Sequence, residues 1–502
     1  MKDMKPLHIS HNPFFSLLLL AASFSLQASS SSLTGSFKDT QQLLNVKATL
    51  PNSTLLPNWL PNQNPCNFTG VSCKDDTLVS SLDLSYTPLD SDLRSVSSFL
   101  LTLDQLESLS LKSTNLTGTV SAFSASRCGA LLLDVDLSSN ALEGSLTDLS
   151  SFTSTSCSSL KSLNLSANSL DFSNTNSTGL QLNSIESLDF SKKVTGNIPI
   201  SNCKSLEFLD LSSNNFSTEI PSFGDCLSLQ HLDISSNKFH GEIGNALVAC
   251  QRLALLDLSS NQFSGPIPSV PTGKLQYLSL SGNDFQGGIP LGIADACLKL
   301  LHLDLSYNNL SGSVPSNLGT CSSLEYINLS RNEFSGGLPI ETLIKMSNLK
   351  KLVLSYNSFI GGLPDSLSKM TNLESLDVSS NNFSGLIPSG LCQGPKNSLK
   401  ETVSSEQSVH GSYSRECWKL LSAHFARFEL QFPRGDNPGE IGFLVEPSRF
   451  DNVVESPPRR DSTRGHEHPN IREFDSGLQR FDRNHSVWVK ALHQFEMDLI
   501  VK

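Results

Sequence analysis

Leucine recurs through most of the chain in a fixed frame, L-x-x-L-x-L-x-x-N. One copy occupies Leu206, Leu209, Leu211 and Asn214, and successive asparagines from there onward lie 22 to 25 residues apart. The later asparagines are Asn237, Asn261, Asn283, Asn308, Asn332, Asn357 and Asn381, with Asn140 and Asn168 upstream and Thr114 in a weaker copy. So regular a frame predicts about 13 copies of one structural unit between residues 79 and 392.

The spacing within the frame predicts how each unit folds. Leucines two residues apart in a strand point to the same side, and a single unit cannot bury that side alone. Stacked units bury it continuously, so we expect parallel strands, one per unit, in an α/β solenoid. Each asparagine stands where the chain leaves its strand, and we expect its amide to satisfy backbone groups of the turn.

A second signature follows each asparagine. It reads SGPIP at Ser264–Pro268, SGSVP at Ser311–Pro315 and SGLIP at Ser384–Pro388. With this addition the repeat resembles the plant-type leucine-rich repeat family. That resemblance implies a right-handed superhelix with a concave parallel β-sheet and 3₁₀ segments on the convex side.

Longer strings sharpen the resemblance. The segments Ser126–Asn140, Asn202–Cys226 and Ser389–Glu401 are similar to the ectodomains of plant leucine-rich repeat receptor-like kinases, in particular brassinosteroid receptor kinases. The likeness runs to about Glu401. The family binds its steroid through an island domain between later repeats, which we expect this chain to lack, so steroid binding is not expected. No Gly-rich phosphate loop, H-R-D or D-F-G motif is found, so we expect a truncated relative that is not an enzyme.

The N-terminus predicts export. Lys2 and Lys5 precede an apolar run from Phe14 to Leu26, and small residues follow, which is the pattern of a secretory signal peptide over 1–28. Residues 29–78, with helical spacing over Asp39–Leu50, resemble the N-terminal cap of plant receptor-like proteins. We expect a cleaved signal and a mature chain without a transmembrane helix.

If the chain is exported, its cysteines are expected to form disulfides, because exported proteins fold in an oxidising compartment. We expect the pairs Cys66–Cys73 and Cys128–Cys157. For five further cysteines the pairing stays open, with bridges between adjacent repeats as one possibility. These are Cys203, Cys226, Cys250, Cys297 and Cys321. The total of 11 cysteines leaves at least one thiol unpaired.

The repeat frame is lost in the last segment, residues 393–502, which is richer in charge. We expect an irregular tail that is disordered or is an artefact of the gene model. His466 and His468 flank Glu467 there, but the Pro/Arg-rich context makes a metal site a weak hypothesis, so no metal and no cofactor is expected.

Composition narrows the function classes. The chain has 502 residues, a net charge of −12 and only 17% charged residues. Nucleic-acid binding needs a basic face, so it is not expected. The acidity lies almost wholly in the repeats and cap.

Two rows of side chains are candidates for a contact surface on the predicted concave face. The first is aromatic: Phe208, His231, Tyr277, His302 and Tyr326, with Leu255 between them. We take these rings as exposed contacts for a protein or peptide, the alternative being ordinary cross-strand packing. The second row is acidic: Asp83, Asp136, Asp189, Asp210, Asp233, Asp257, Asp304 and Asp377. It could meet a basic partner, or it could simply be part of the repeat consensus.

Glycosylation sequons are frequent, partly because the repeat itself generates N-x-S. The candidate sites are Asn52, Asn67, Asn115, Asn164, Asn176, Asn215, Asn309 and Asn382. Asn328 also lies in a sequon, but we expect it on a strand and unmodified.

These features predict an extracellular or cell-surface binding scaffold with a protein or peptide ligand on its concave face, and with receptor-like kinases as possible partners. Two alternatives remain open. One is a secreted leucine-rich repeat inhibitor of pathogen enzymes, and the other is a non-functional product of a disrupted receptor gene.

Overall fold

A computed structural model of the chain describes residues 36–386, with short gaps, together with residues 401–403 and 408–410. The gaps are 125–127, 129, 152, 154–156, 174–179, 183, 197–199, 202, 221–222, 224–225, 245, 271–273 and 294–296. The predicted signal peptide at 1–28 and nearly all of the predicted tail at 393–502 lie outside the described residues.

One strand from each repeat joins a single long sheet, which has 15 strands among the described residues. All neighbours pair in parallel except the first two, which form an antiparallel hairpin. The strands are β1 Val71–Lys74, β2 Leu78–Asp83, β3 Ser108–Ser110, β4 Asp134–Asp136, β5 Ser162–Asn164, β6 Ser187–Asp189, β7 Phe208–Asp210, β8 His231–Asp233, β9 Leu255–Asp257, β10 Tyr277–Ser279, β11 His302–Asp304, β12 Tyr326–Asn328, β13 Lys351–Val353, β14 Ser375–Asp377 and β15 Glu401–Val403.

The register of this sheet follows the leucine frame. Leu188, Leu209 and Leu232 are direct partners on β6, β7 and β8, and each is fully buried. The residues on either side of them point away from the core, as the two-residue period of a strand requires. A shift of one residue would expose the leucines, so the hydrophobic frame determines the register.

A second row of short parallel strands follows the asparagines. Its three sheets are Thr117–Thr119, Ala141–Gly144, Ser169–Phe172 and Thr195–Gly196; Leu180–Gln181 and Ile200–Ser201; and His240–Glu242, Gln262–Pro266, Asp284–Gly287, Asn309–Gly312, Glu333–Gly336, Ser358–Gly361, Asn382–Leu386 and Ser408–His410. The glycine of the SGxIP signature has a left-handed backbone here, with φ of 77° at Gly265 and 87° at Gly385. Only glycine adopts this conformation at little cost, which explains its place in the repeat.

Phenylalanines from the second row form the centre of the core. Phe216, Phe239, Phe263 and Phe285 stack in order, with ring centroids 5.8–6.2 Å apart. The inward leucines of the long sheet and these rings enclose one continuous core along the stack. Each repeat therefore buries its apolar side against the next, as a solenoid requires.

An N-terminal cap covers the first repeat. Helix α1, residues 36–49, buries Leu43 and Val46, and Asp39 accepts a hydrogen bond from the Val79 amide at 3.1 Å. Burial raises the pKa of this carboxyl. Trp59 is buried and donates from its indole nitrogen to the Thr69 carbonyl at 3.0 Å. The cap thus joins the edge of the sheet through both apolar and polar contacts.

The remaining helical segments lie between strands of successive repeats, except for the 3₁₀ segment Pro65–Asn67, which precedes β1 in the cap. They are α2 Leu93–Leu100, α3 Ser121–Ser124, α4 Leu146–Ser151 and α5 Ile340–Leu343, and the 3₁₀ segments Pro65–Asn67, Cys297–Lys299, Ser316–Thr320 and Asp365–Lys369. This architecture confirms the predicted α/β leucine-rich repeat solenoid with a helical N-terminal cap. In the part of the chain that is described, no helix combines the length and apolarity needed to cross a membrane.

The asparagines of the frame, which we call the asparagine row, connect neighbouring repeats. Asn283 donates to the Leu258 carbonyl at 3.0 Å and to the Leu280 carbonyl at 3.1 Å, and it accepts from the Phe263 amide at 3.0 Å. Asn308 repeats this pattern one strand further on. The side chain therefore satisfies buried backbone groups that have no strand partner, as the sequence predicts.

Thr114 shows how the weaker copy manages the same turn. Its hydroxyl donates to the Leu111 carbonyl at 2.7 Å, and its backbone amide donates to the side-chain oxygen of Asn140 in the next repeat at 3.1 Å. A shorter side chain thus serves one of the backbone groups that an asparagine would reach.

Four disulfides lie in the described residues. They join Cys66 to Cys73, Cys128 to Cys157, Cys203 to Cys226 and Cys297 to Cys321. The first closes a short loop within the cap, and the last two each connect adjacent repeats. Cys250 keeps a buried thiol, whose pKa burial raises to about 11.

Candidate functional site

The outward side of the long sheet is the face that the sequence predicts to be concave, and we call it the strand face. Each three-residue strand offers it two side chains, before and after the inward leucine. The first of these positions carries the ring row, Phe208, His231, Leu255, Tyr277, His302 and Tyr326, on β7 to β12. The strand pairing aligns all six residues directly with one another.

The rings of this row stack on one another across the strands. Phe208 and His231 have ring centroids 4.2 Å apart, and Tyr277, His302 and Tyr326 follow with spacings of 4.4 and 4.2 Å. The planes lie within 23° of parallel. Such stacking is favoured because neighbouring parallel strands are about 4.8 Å apart, which is within the centroid spacing of offset-stacked rings.

This stacking corrects the prediction that all the rings are exposed. Tyr277 is only 2% exposed and His231 only 6% exposed, because each ring covers the next. Phe208, His302 and Tyr326 are half-buried, so part of each remains accessible. The ring row therefore consists of two stacked groups separated by Leu255, with accessible surface at three of its five rings, and is not a set of independent exposed rings.

A cation closes one end of the ring row. Lys351 occupies the same position on β13, and its Nζ lies 5.6 Å from the centroid of the Tyr326 ring. Beyond it, β14 carries Ser375 at this position. The aromatic surface thus ends at a positive charge on one side.

The second outward position carries what we call the carboxylate row, Asp189, Asp210, Asp233 and Asp257, on β6 to β9. These four residues are direct strand partners in sequence. Each accepts from the amide two residues later, as in Asp210 with Ser212 at 2.8 Å and Asp233 with Ser235 at 2.9 Å. The aspartates thus cap the turn that follows their strands, which favours the consensus interpretation of the row.

Crowding of these carboxyls changes their proton affinity. Burial and the neighbouring aspartates raise the pKa of Asp210 to about 7, and the same two causes raise the pKa of Asp233 well above its usual range. Burial also raises the pKa of Asp189. In the described part of the chain no Lys or Arg pairs with Asp189, Asp210 or Asp233. Asp189, Asp210 and Asp233 therefore form, among the described residues, an acidic strip without a basic partner beside the rings.

The acidic strip does not continue to the end of the sheet. Asn328 and Val353 replace the aspartate on β12 and β13, and Asn328 donates to Asp304 at 3.2 Å. Together with Lys351, these replacements make the strand face less acidic at β12 and β13, before Asp377 on β14 brings back a carboxylate. The face therefore has an acidic part around β6 to β9 and a neutral-to-basic part around β12 and β13.

Tyr307, Arg331 and Tyr356 were not singled out from the sequence. All three directly precede the frame asparagine, where most other repeats have serine, for example Ser236 and Ser260. The replacement of a small residue by a large one in three successive repeats was the signal that could have identified them.

The candidate glycosylation sites differ in their surroundings. Asn52, Asn67, Asn115, Asn215, Asn309 and Asn382 are exposed. Asn176 lies outside the described residues. Asn164 stands at the end of β5, at the strand position that Asn328 has on β12, and its amide oxygen accepts from Ser166 at 3.0 Å. We expect Asn328 to be unmodified because it lies on a strand, and the same expectation applies to Asn164.

Among the described residues, no group of three or more His, Cys, Asp or Glu side chains is placed so that it could hold a metal ion. His466 and His468 lie outside them.

Sequence comparisons identify the class of protein. Models of leucine-rich repeats match 205–227, 225–248, 252–273, 274–296, 299–321, 323–343 and 347–390, and the model of the leucine-rich repeat N-terminal domain matches 38–74. Together with the fold, these matches show that the chain is a leucine-rich repeat protein.

The relatives are plant receptor kinases. The chain is 49% identical over 345 residues to the Systemin receptor SR160 of Solanum peruvianum and to the Brassinosteroid LRR receptor kinase of Solanum lycopersicum, which covers 63% of this chain and 28% of each relative. It is 46% identical over 302 residues to Protein BRASSINOSTEROID INSENSITIVE 1 of Arabidopsis thaliana, covering 55% of this chain and 25% of that one. The predicted resemblance is confirmed, and the chain spans about a quarter of the length of these relatives.

Solved structures agree with this assignment. The crystal structure of PEPR1–AtPEP1 matches with a TM-score of 0.62 and 29% identity, over 78% of this chain and 54% of that chain. The crystal structure of a TDR receptor matches with a TM-score of 0.51 and 25% identity, over 66% and 61% of the two chains.

Proposed function

We propose that this chain is an extracellular binding scaffold that holds a protein or peptide partner against its strand face. The observation that carries the proposal is the ring row, two groups of stacked rings on β7 to β12 in which Phe208, His302 and Tyr326 are half-buried. Aromatic side chains are enriched at interfaces, and rigid ones lose little conformational freedom on binding.

The relatives support a role in recognition. Two of them are named as receptors for systemin and brassinosteroid, and PEPR1 was solved together with AtPEP1. The activities of those whole proteins are not assigned to this chain, which matches about a quarter of their length. We propose a receptor-like kinase or a peptide ligand as the partner.

Export is part of the same proposal. Four disulfides in a chain of this kind fit an oxidising compartment, because reducing compartments keep most thiols unpaired. Exposed sequon asparagines such as Asn215 and Asn309 would then be accessible to glycosylation.

The test compares proteins captured by the full-length chain from plant extracellular fluid. One bait carries Phe208→Ser together with Tyr326→Ser, since other repeats have serine at this position and the strands should persist. The control bait carries Leu298→Ser, an exposed apolar residue away from the ring row that is 64% exposed.

We expect specific partners to bind the wild type and the control and to be lost with the double variant. Equal capture by all three baits would reject the ring row as the contact. Capture of a pathogen wall-degrading enzyme in place of a receptor kinase or peptide would favour an inhibitor.

A further inference from the structure

Three large side chains form an exposed stack beside the ring row, which we call the Tyr–Arg–Tyr stack. The guanidinium of Arg331 lies 4.9 Å from the ring centroid of Tyr307 and 4.2 Å from that of Tyr356. The two tyrosines are 54% and 47% exposed, and Arg331 is exposed as well. Three successive repeats thus place a planar cation between two rings.

The backbone aligns the three side chains. Tyr307, Arg331 and Tyr356 each have φ of 53°, in the left-handed region. Their backbones are held in line across the repeats, since the Asn308 backbone amide donates to the Arg331 carbonyl at 3.1 Å and the Asn332 backbone amide donates to the Tyr356 carbonyl at 3.2 Å. The repeat requires this conformation everywhere, but it usually places serine there, so these three large residues are not needed for the turn.

The edge of the guanidinium is available. Within the described residues no Asp or Glu pairs with Arg331, although four ion pairs occur elsewhere. Carboxyls on neighbouring strands are otherwise engaged, because Glu325 pairs with Lys350 at 2.6 Å and Asp304 accepts from Asn328. A guanidinium stacked on both faces keeps its N–H donors at its rim, in the geometry that matches a carboxylate.

We propose that the Tyr–Arg–Tyr stack binds a carboxylate on an extended acidic segment of a partner protein. The inference rests on the binding role proposed above and specifies the chemistry of the partner. Charge complementarity supports it, because Lys351, Asn328 and Val353 make the strand face least acidic at β12 and β13, next to Arg331. The outward positions of β6 to β9 carry four aspartates and no Lys or Arg, whereas Lys351 lies on the strand next to β12, which places the contact at this end of the sheet.

The experiment measures binding of a fluorescein-labelled Glu–Tyr copolymer to the full-length chain by fluorescence anisotropy. The variant Arg331→Gln removes the charge, and Arg331→Lys keeps it but loses the planar fork. The control Arg252→Gln removes an exposed arginine in the turn before β9. A Lys–Tyr copolymer tests the sign of the charge, and thermal unfolding shows that every variant is folded.

We expect Arg331→Gln to weaken Glu–Tyr binding about tenfold, as loss of one charge-assisted bidentate contact does. Arg331→Lys should give an intermediate loss, and Arg252→Gln should bind like the wild type. Equal binding by Arg331→Gln, or stronger binding of the Lys–Tyr copolymer, would overturn the proposal. So would Arg331-dependent binding of polygalacturonate without binding of the peptide copolymer, since the partner would then be a polysaccharide.

The two proposals fail separately. If the Phe208→Ser, Tyr326→Ser variant captures every partner but Arg331→Gln still weakens copolymer binding, the ring row is rejected and the carboxylate site stands. If partners are lost with the double variant while Arg331→Gln binds normally, the scaffold stands and this site is rejected.

Discussion

The asparagine row and the ring row run along the same stack of strands, but they depend on their neighbours in different ways. An asparagine such as Asn283 bonds to backbone groups, which every repeat presents at the same place. A ring such as His302 contacts side chains, Tyr277 and Tyr326, which differ from repeat to repeat. The first row therefore specifies the architecture, and the second can specialise a local surface.

The largest effect should come from the asparagine row. Asn283→Ala removes an amide that satisfies three buried backbone groups, so we expect a loss of about 1–3 kcal/mol in the free energy of unfolding. Chemical denaturation measures it. The half-buried Asn317, which donates once to the Leu291 carbonyl, is the control, and its replacement by Ala should change stability by about 0.5 kcal/mol or less. Equal losses in the free energy of unfolding for Asn283→Ala and Asn317→Ala would show that the asparagine row has no special role in stability.

The carboxylate row should make stability depend on pH. Its folded pKa values lie above the unfolded value of about 3.9, so protons bind the folded state more tightly. Stability should therefore rise as pH falls from 8 through 7 toward 5, and this gain should diminish as pH rises through the raised pKa values, about 7 for Asp210.

A variant isolates this effect. Asp233→Asn should raise stability at pH 8 by about 1–2 kcal/mol and flatten the profile, because it removes the central charge of the row. The control is Asp377→Asn, whose strand partners are Val353 and Val403. Denaturation curves at pH 8 and pH 5 measure both. A flat wild-type profile would show that the aspartates do not interact as their register implies.

The ring row should matter less for stability than for binding. Tyr326→Ser removes one stacked, half-buried ring, and we expect a loss of about 0.5–1.5 kcal/mol. The control is Tyr86→Ser, which changes a tyrosine that is 70% exposed and outside the row. Thermal or chemical unfolding measures both. If Tyr326→Ser lowered the free energy of unfolding more than Asn283→Ala, the ring row would contribute more to stability than the asparagine row, contrary to this prediction.

The smallest effect should come from the end of the ring row. Lys351→Gln removes the cation above the Tyr326 ring, and we expect a loss of about 0.5 kcal/mol that high salt reduces. Lys238→Gln is a matched control because Lys238 is exposed and lies apart from the row. Indistinguishable unfolding curves for the two variants would show that the contact is not stabilising.

Much of the fold was predictable because each rule acts within about 24 residues. The leucine spacing predicted Leu209 and Leu232 inward, and the asparagine position predicted its bonds to the turn. Local patterns of this kind need only the repeat itself, plus the knowledge that an identical neighbour stacks on it.

Other features depended on which neighbour lies beside which. Cys226 pairs with Cys203 while Cys250 remains a buried thiol, although the spacing allowed either choice. The exposure predicted for His231 and Tyr277 was wrong, because burial of a ring depends on the rings one repeat away. The Tyr–Arg–Tyr stack was likewise overlooked, since its three members lie in separate repeats.

The sequence alone thus determined the repeat, its register and its class, because hydrophobic period and turn chemistry are written within single units. The tertiary structure decided which side chains meet across units: which rings are covered, which aspartates raise the pKa of their neighbours and where a guanidinium edge is left accessible. The physical reason is that strands about 4.8 Å apart turn residues 22 to 25 positions apart into direct neighbours.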